Sequence, residues 1–574
     1  MILWVFLIIL YNQREKIDTL ETIFELDTLY VTASRYKIDI FRLPFSASIV
    51  PKDEYPLTER MLKVCGAAMI DYGNLSIFSI NGSTSEQVGI SLNGVEMNIP
   101  QNGIFDLSLI PGYFIGEGYI IGSSIAGMEQ TGGRANTAVF YTKIDEKSII
   151  LSNGSFGKSG FGMIYPFSFF VPGFYFENSK NRYPFKDEFG RTFYQENAGY
   201  THLSNYFLIN LPVKISIFST YRDADIPEKL GSISGLPHKR EELISASLLY
   251  DKKNFRISGS SNYSNFNFSD TIFGNDTHKN YFINIDGAYK FKNKELGIKI
   301  KEENVSSTKI GDKKRMIMGF YFFEQINLGK ILSTTSLLFE HSLQKLYNLS
   351  FVFPFSYPLK ERWMSFYNLS FGYRYPTMNE LYWPEDHFSA GNPDLKSETN
   401  FTIETGLRHI SWYFLKTSVF CRVGQRMILW QPGVDGKWRP VNTAKSLAIG
   451  GDFELTFEMP LEFSSGYSFI FGRIDDGVLP YRPAHSLNLT LEKYGIYTES
   501  VFLLKRPANP SGIVYLKDIF LINLGCQLNK KISRFILQVN PVIKNILDKN
   551  FEFIEGYPQP GRRYEITIKI KEVK

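Results

Sequence analysis

The sequence predicts an all-β membrane protein: an antiparallel transmembrane β-barrel of about 22 strands, with an N-terminal α+β domain inside its lumen. Three observations predict it. Aromatic residues make up 16% of the 574 residues while mean hydropathy is only −0.14, so apolar side chains are abundant yet never gathered into helical membrane spans of ~20 residues. From about residue 148 to the end, the chain alternates apolar and polar residues in runs of about ten, as a strand with one oily and one wet face must. The segment before it is rich in Gly and Ser and mixes short strand-like runs with turns. Lys+Arg (63) and Asp+Glu (58) nearly balance, which argues against nucleic acid. The three cysteines, Cys65, Cys421 and Cys526, lie too far apart for a disulfide scaffold or a zinc motif.

In chain order, residues 1–13 form an apolar leader. MILWVFLIIL suits the core of an export signal, although it lacks a basic start and an A-x-A-like site. Residues 14–35 read as a flexible tail ending in a β-favouring stretch. Residues 36–145 form the small α+β domain. In it, residues 88–92 lead through Asn93-Gly94, a hairpin signal, into 95–99. Ile110-Pro111 opens a turn before a strand-like run at 117–121.

Residues 146–574 form the barrel. Phe401, Ile403, Thr405 and Leu407 alternate with Thr402, Glu404, Gly406 and Arg408. Tyr413, Leu415, Val419 and Cys421 oppose Lys416, Ser418 and Arg422; Tyr564, Ile566, Ile568 and Ile570 oppose Glu565, Thr567, Lys569 and Lys571. A soluble β-sandwich shows the same alternation. The unbroken length, the charges on the wet faces and the aromatics near segment ends (Tyr481, Tyr494, Tyr497, Phe502) favour a membrane barrel with interfacial girdles. Twenty-two strands would use ~220 residues and leave ~200 for connections. A lumen that wide is not filled by wall side chains and calls for a plug.

Several segments, in order and spacing, resemble the TonB-dependent outer-membrane receptor family, over nearly the whole chain from Asp27 to Arg563. DTLYVTASR at 27–35 is similar to the family's TonB box. ISLNGVEMNIPQNG (90–103), FDLSLIP (105–111) and IGEGYIIGSSIAGMEQTGG (115–133) resemble plug segments. YRYPTMNELYWP (373–384) with GNPDLKSET (391–399) resembles a barrel hairpin, PYRPAHSLNL (480–489) another barrel segment, and NILDKNFEFIEGYPQPGRRYEI (545–566) the closing motif. The departures are Ser79-Ile80-Asn81-Gly82 in place of an Arg-Gly, Met128-Glu129 in place of a Tyr-Gly, and an end on Glu572-Val573-Lys574 where members usually carry an aromatic.

The resemblance implies a receptor of the Gram-negative outer membrane, closest in size and loops to the cobalamin-receptor-like branch. Its function would be TonB-dependent import of a large scarce nutrient, a corrinoid or a ferric siderophore. Its partners would be the inner-membrane TonB complex, outer-membrane lipid and a small metal chelate or corrinoid; a monomer is expected, and no nucleic acid. Asp27, Thr28, Leu29, Tyr30 and Val31 would be the TonB-box residues, an extended segment able to pair edge-on with a partner strand. Asn98, Gln101, Asn102, Met128, Glu129 and Gln130 are candidate ligand contacts on the plug. Asp187, Glu188, Asp223 and Asp225 on outer loops could hold calcium, against the plainer reading of solvated loop charge; no other cofactor is expected. No H-E-x-x-H, G-x-S-x-G or Walker loop occurs, so no enzyme is expected. The competing reading is a passive pore or adhesin on the same barrel.

Overall fold

The computed structural model describes residues 30–31, 38–39, 42–53, 55–125, 131–187, 189–232, 235–344, 346–457 and 461–572. Among them, every sheet neighbour from Ser148–Gly154 onward is antiparallel, and that first strand pairs back onto the last, Arg563–Glu572, with Ser148 opposite Lys571. The wall is a closed 22-stranded barrel. Ile519–Cys526 and Leu528–Ile532 serve as one strand broken at Gln527, and Gly477–Val478 is a short return at the end of Glu462–Ile474. No helix among the described residues is long and apolar enough to cross a membrane; the crossing is made by strands.

The alternation read from the sequence has a definite sense. In Glu398–Ile410, Ile403 is 51% exposed, while Thr402, Glu404 and Arg408 are buried. In Tyr413–Pro432, Val419 and Val423 are exposed and Cys421 lies on their side, while Lys416, Ser418 and Arg422 are buried. Apolar residues outside and charges inside invert a soluble protein, and suit a wall between lipid and a polar lumen. Two aromatics expected in a girdle face inward instead. The Tyr497 hydroxyl meets that of Tyr55 inside the lumen at 2.9 Å, and half-buried Tyr481 packs against the inner core. Position near a segment end does not decide orientation; parity along the strand does. Phe502 does pack edge-on against Phe520 across neighbouring strands.

Inside sits a mixed five-stranded sheet, in the order Ala47–Ile49, Ile115–Ile121, Asn136–Thr142, Val88–Leu92, Val95–Glu96. Val88–Leu92 runs parallel to Asn136–Thr142. The expected hairpin forms: Asn93 (φ 49°) and Gly94 (φ 80°) both take positive φ, as a type I′ turn requires. A separate hairpin, Ala67–Asp71 with Ser76–Ile80, and a short helix, Leu57–Met61, complete this plug. Phe78, Ile90, Phe105, Leu107 and Phe140 are at most 3% exposed and form its apolar core.

The connections are unequal. One rim carries short turns such as 211–212 and 252–254; the other carries long ones such as 226–237, 375–397 and 545–562. Because the lipid face around Ile403 is largely apolar, Ile403→Arg should destabilise the barrel by about 2–4 kcal/mol, measured as a shift in reversible unfolding in bilayers, while Ile403→Leu stays near wild type.

Candidate ligand face and plug seat

The plug is seated by cations of the barrel wall. Arg422 donates to the carbonyls of Ile80 (3.2 Å), Asn81 (2.9 Å) and Gly122 (2.8 Å), and to the Asn136 amide oxygen. Arg408 donates to the carbonyls of Leu43 and Phe45. Lys416 reaches the Ala47 carbonyl (3.0 Å) and pairs with Glu454 (2.7 Å). Carboxylates of the plug are met in the same way: Glu96 by Lys301 (2.7 Å), Asp106 by Lys239 (3.0 Å), and Glu59 by both Lys544 and Arg563 (2.7 Å each). A guanidinium presents five donors in a fixed fork, so one Arg can satisfy several carbonyls that no wall strand can reach.

Three plug turns reach the long-connection rim. In the first, Tyr72 packs edge-on against Tyr557, and the Asn74 amide donates to the carbonyls of Ala198 (2.9 Å) and Asp225 (2.7 Å). Gly73 (φ 99°) lies so close to Pro227 that an added Cβ would be 2.7 Å from that ring. The second turn carries the Thr84–Gln87 capping box; Arg482 donates to the Ser83 carbonyl at 3.0 Å, and the Gln87 amide to Glu398 at 2.9 Å.

The third turn is 98–103. Asn98 accepts from the Ile90 N–H (2.8 Å) and donates to the carbonyls of Val88 and Gly103 (2.9 Å each), so it holds the turn's shape. Gln101 exchanges hydrogen bonds with Asn280, and its carbonyl accepts from the Asn379 N–H at 2.9 Å. Asn102 is the exposed member of the three. Met128, Glu129 and Gln130 lie outside the described residues, as do Asp27, Thr28 and Leu29. Tyr30–Val31 forms a two-residue strand antiparallel to Ile38–Asp39.

The acidic candidates are engaged by basic side chains, and Asp223 and Asp225 stand at the end of strand Val213–Asp225 where a loop was expected. Asp187 accepts from Arg191 at 2.6 Å; Asp223 meets Arg240 (2.8 Å) and His238 (3.0 Å), and Asp225 meets the same His238 (3.0 Å). Glu188 lies outside the described residues. Among the described residues, no cluster of three or more His, Cys, Asp or Glu could hold a metal ion.

A cavity of about 560 Å³ runs between the plug and the seam where the first and last strands meet. Lys52, Asp53 and Glu492 line it toward the short-turn rim; Gly73, Tyr183 and Gln559 line it toward the long-connection rim. A second, of about 50 Å³, lies under turn 98–103 between Glu96, Lys301 and Arg315, and is too small for an organic ligand. The sequence reading missed the seat: Arg408, Lys416 and Arg422 were visible as charges on wet faces, but nothing local says which wall charges meet the plug.

The family model "TonB dependent receptor-like, beta-barrel" matches residues 140–515. The chain belongs to the TonB-dependent receptor family. It is 37% identical over 89 residues to the vitamin B12 transporter BtuB of Vibrio vulnificus, which covers 15% of this chain and 14% of that relative. It is 23% identical over 492 residues, 75% of each chain, to BtuB of Photobacterium profundum. Two solved structures share the fold at 13% identity: a ferric enterobactin receptor, PfeA (TM-score 0.71, covering 92% of this chain and 99% of that one), and a copper transporter, OprC (0.73, 90% and 95%). This TonB-dependent receptor thus lies in the outer membrane and is a receptor or transporter, not an enzyme. Its short turns face the periplasm and its long connections face outward.

Two outcomes follow for this receptor. Arg422→Met strips the donor from four plug acceptors in a dry site, and should cost about 2–4 kcal/mol, read as faster proteolysis of the plug within an intact barrel. Burial would raise the carboxyls of Glu96 and Asp106, but Lys301 with Arg134, and Lys239 with Arg222, hold them below their ordinary range. Groups depressed on folding stabilise above an ordinary carboxylate pKa of ~4 and lose that contribution as pH falls through the folded values. Plug protection should therefore fall below pH ~4, and Glu96→Gln should blunt that step.

Proposed function

We propose that this receptor imports a large, scarce nutrient, drawing on the inner-membrane TonB complex, with a corrinoid as the favoured cargo and a ferric siderophore as the second reading. The observation that carries the proposal is the seated plug. Wall cations hold the plug across the lumen, from Arg408 and Arg422 on one side to Lys544 and Arg563 at the seam, so import needs the plug to shift, and an outer membrane offers no nucleotide pool to drive that. The corrinoid reading is supported by relatedness to vitamin B12 transporters over 75% of the chain. The siderophore reading is supported by the fold shared with a ferric enterobactin receptor.

In this proposal residues 27–31 are the TonB-pairing segment, and the extended Tyr30–Val31 suits edge-on strand addition. Exposed Asn102 and residues 128–130 contact cargo, with the long connections closing over it.

Purified full-length protein in detergent should bind cyanocobalamin with a Kd below about 1 μM by calorimetry, with ferric chelates silent. The reverse pattern moves the cargo to a siderophore. The plug's need to move is tested by one substitution: a Cβ at Gly466 on the barrel wall would lie 2.6 Å from the Cys65 sulfur of the plug. Gly466→Cys should permit a plug–wall disulfide that stops uptake but not binding, with uptake restored by reductant. Uptake that survives this lock, or deletion of residues 12–35, supports the passive pore.

A further inference from the structure

We propose that the short-turn rim is a binding surface for the headgroups of anionic phospholipids in the periplasmic leaflet. The turns of this rim and the strand ends beside them carry exposed cations: Lys252 and Lys253, Lys360 and Arg362, Lys530 and Lys531. Among the described residues, none of these six is ion-paired. The acids at this level are largely matched already. Asp251 is held by Lys290, Glu324 by Lys294 (3.4 Å) and Glu572 by Lys147 (3.1 Å), which leaves Asp145, Glu361 and Glu462 exposed.

The opposite rim is different. Some of its exposed cations sit in pairs, such as Arg182–Glu196 (2.7 Å), Arg240–Asp223 (2.8 Å), Lys314–Glu302 (2.7 Å) and Arg439–Asp435 (2.7 Å), and the others, such as Lys186, Lys396 and Lys549, stand among exposed acids such as Asp312, Asp394, Asp476 and Asp518. The short-turn rim therefore carries more exposed cations than exposed acids, an excess that the chain's net charge of +5 does not locate.

Depth is set by a second, independent observation. Exposed aromatics stand a few residues from the cations: Phe255 (56%) after Lys253, Tyr357 (41%) before Lys360, and Phe535 (37%) after Lys531. Aromatic belts mark the headgroup level of a bilayer, so the neighbouring ammonium and guanidinium groups lie where lipid phosphates lie. A ring of unmatched cations at phosphate depth attracts headgroups that carry a phosphodiester without a compensating amine.

The test uses the full chain in phosphatidylcholine vesicles doped with spin-labelled phosphatidylglycerol or spin-labelled phosphatidylcholine. At low salt the immobilised lipid shell should favour phosphatidylglycerol at least about five-fold. The variant K252Q/K253Q/K360Q/R362Q/K530Q/K531Q should lose that preference, while R182Q/R439Q on the other rim should keep it. Heat-modifiable gel mobility verifies that each variant is folded. Equal shells for both lipids in the wild type, or preference retained by the rim variant, overturns the proposal. So does capture of an acidic periplasmic peptide or peptidoglycan fragment by the rim in the absence of lipid preference.

Discussion

A barrel this wide cannot fill its own lumen, and the rest of the structure follows from how that space is occupied. The wall turns its polar residues inward, and a second folded unit with its own apolar core supplies the packing. The two meet through polar groups: Arg408, Lys416 and Arg422 on plug carbonyls, and Lys239, Lys301 and Lys544 on plug carboxylates. Buried ion pairs stabilise little relative to packed hydrocarbon, because desolvation offsets most of the attraction, but they fix position well. A plug held this way is well located without being fused to the wall, which is what a movable stopper needs.

The seat is also uneven. On the side of Glu398–Ile410 and Tyr413–Pro432, guanidinium groups reach main-chain carbonyls directly, and those atoms cannot move without the plug backbone moving. Along the seam the contacts run largely between side-chain tips, Glu59 with Lys544 and Arg563, Lys63 with Glu499, and the Tyr55 and Tyr497 hydroxyls, with Tyr113 on the Ser148 carbonyl (3.1 Å) and Gln559 on the Asp71 carbonyl (3.4 Å) as the main-chain contacts. The cavity lies on that side. Long side chains can swing several ångströms while their backbones stay put, so the seam is where the plug can shift with least disruption of main-chain contacts.

Much of this was legible in the sequence, for a simple reason. A strand with a period of two writes its two faces into the chain, so Ile403 against Glu404, or Ile566 against Glu565, announces lipid and lumen without any partner being known. The Asn93-Gly94 turn was legible because few residue pairs accept positive φ twice. What was not legible depends on contacts across hundreds of residues. That Arg422 meets Gly122, or that Asn98 closes its own turn, follows from tertiary placement. Tyr497 shows the limit within a single strand: its place near a turn suggested a girdle, while its register turned it inward to Tyr55.

The most recognisable stretch of the barrel, YRYPTMNELY with GNPDLKSET, illustrates why family resemblance and cargo separate. Arg374 holds Glu380 through both oxygens (2.9 and 3.0 Å) and Glu398 at 2.7 Å; Thr377 and Glu380 cap the helix Met378–Tyr382. That helix accepts the plug turn, with the Met378 and Asn379 N–H groups on the carbonyls of Pro100 and Gln101. The residues that make the motif are thus consumed in docking a loop onto the plug, and their polar atoms face one another, not the outside. The exposed side chains beyond them, Phe388 (78%) in the same connection and Trp438 (50%) at the start of strand Trp438–Phe457, take no part in that geometry. A clamp whose polar atoms are satisfied within the protein, beneath exposed tips that take no part in it, separates the geometry that docks the plug turn from the surface that meets the outside.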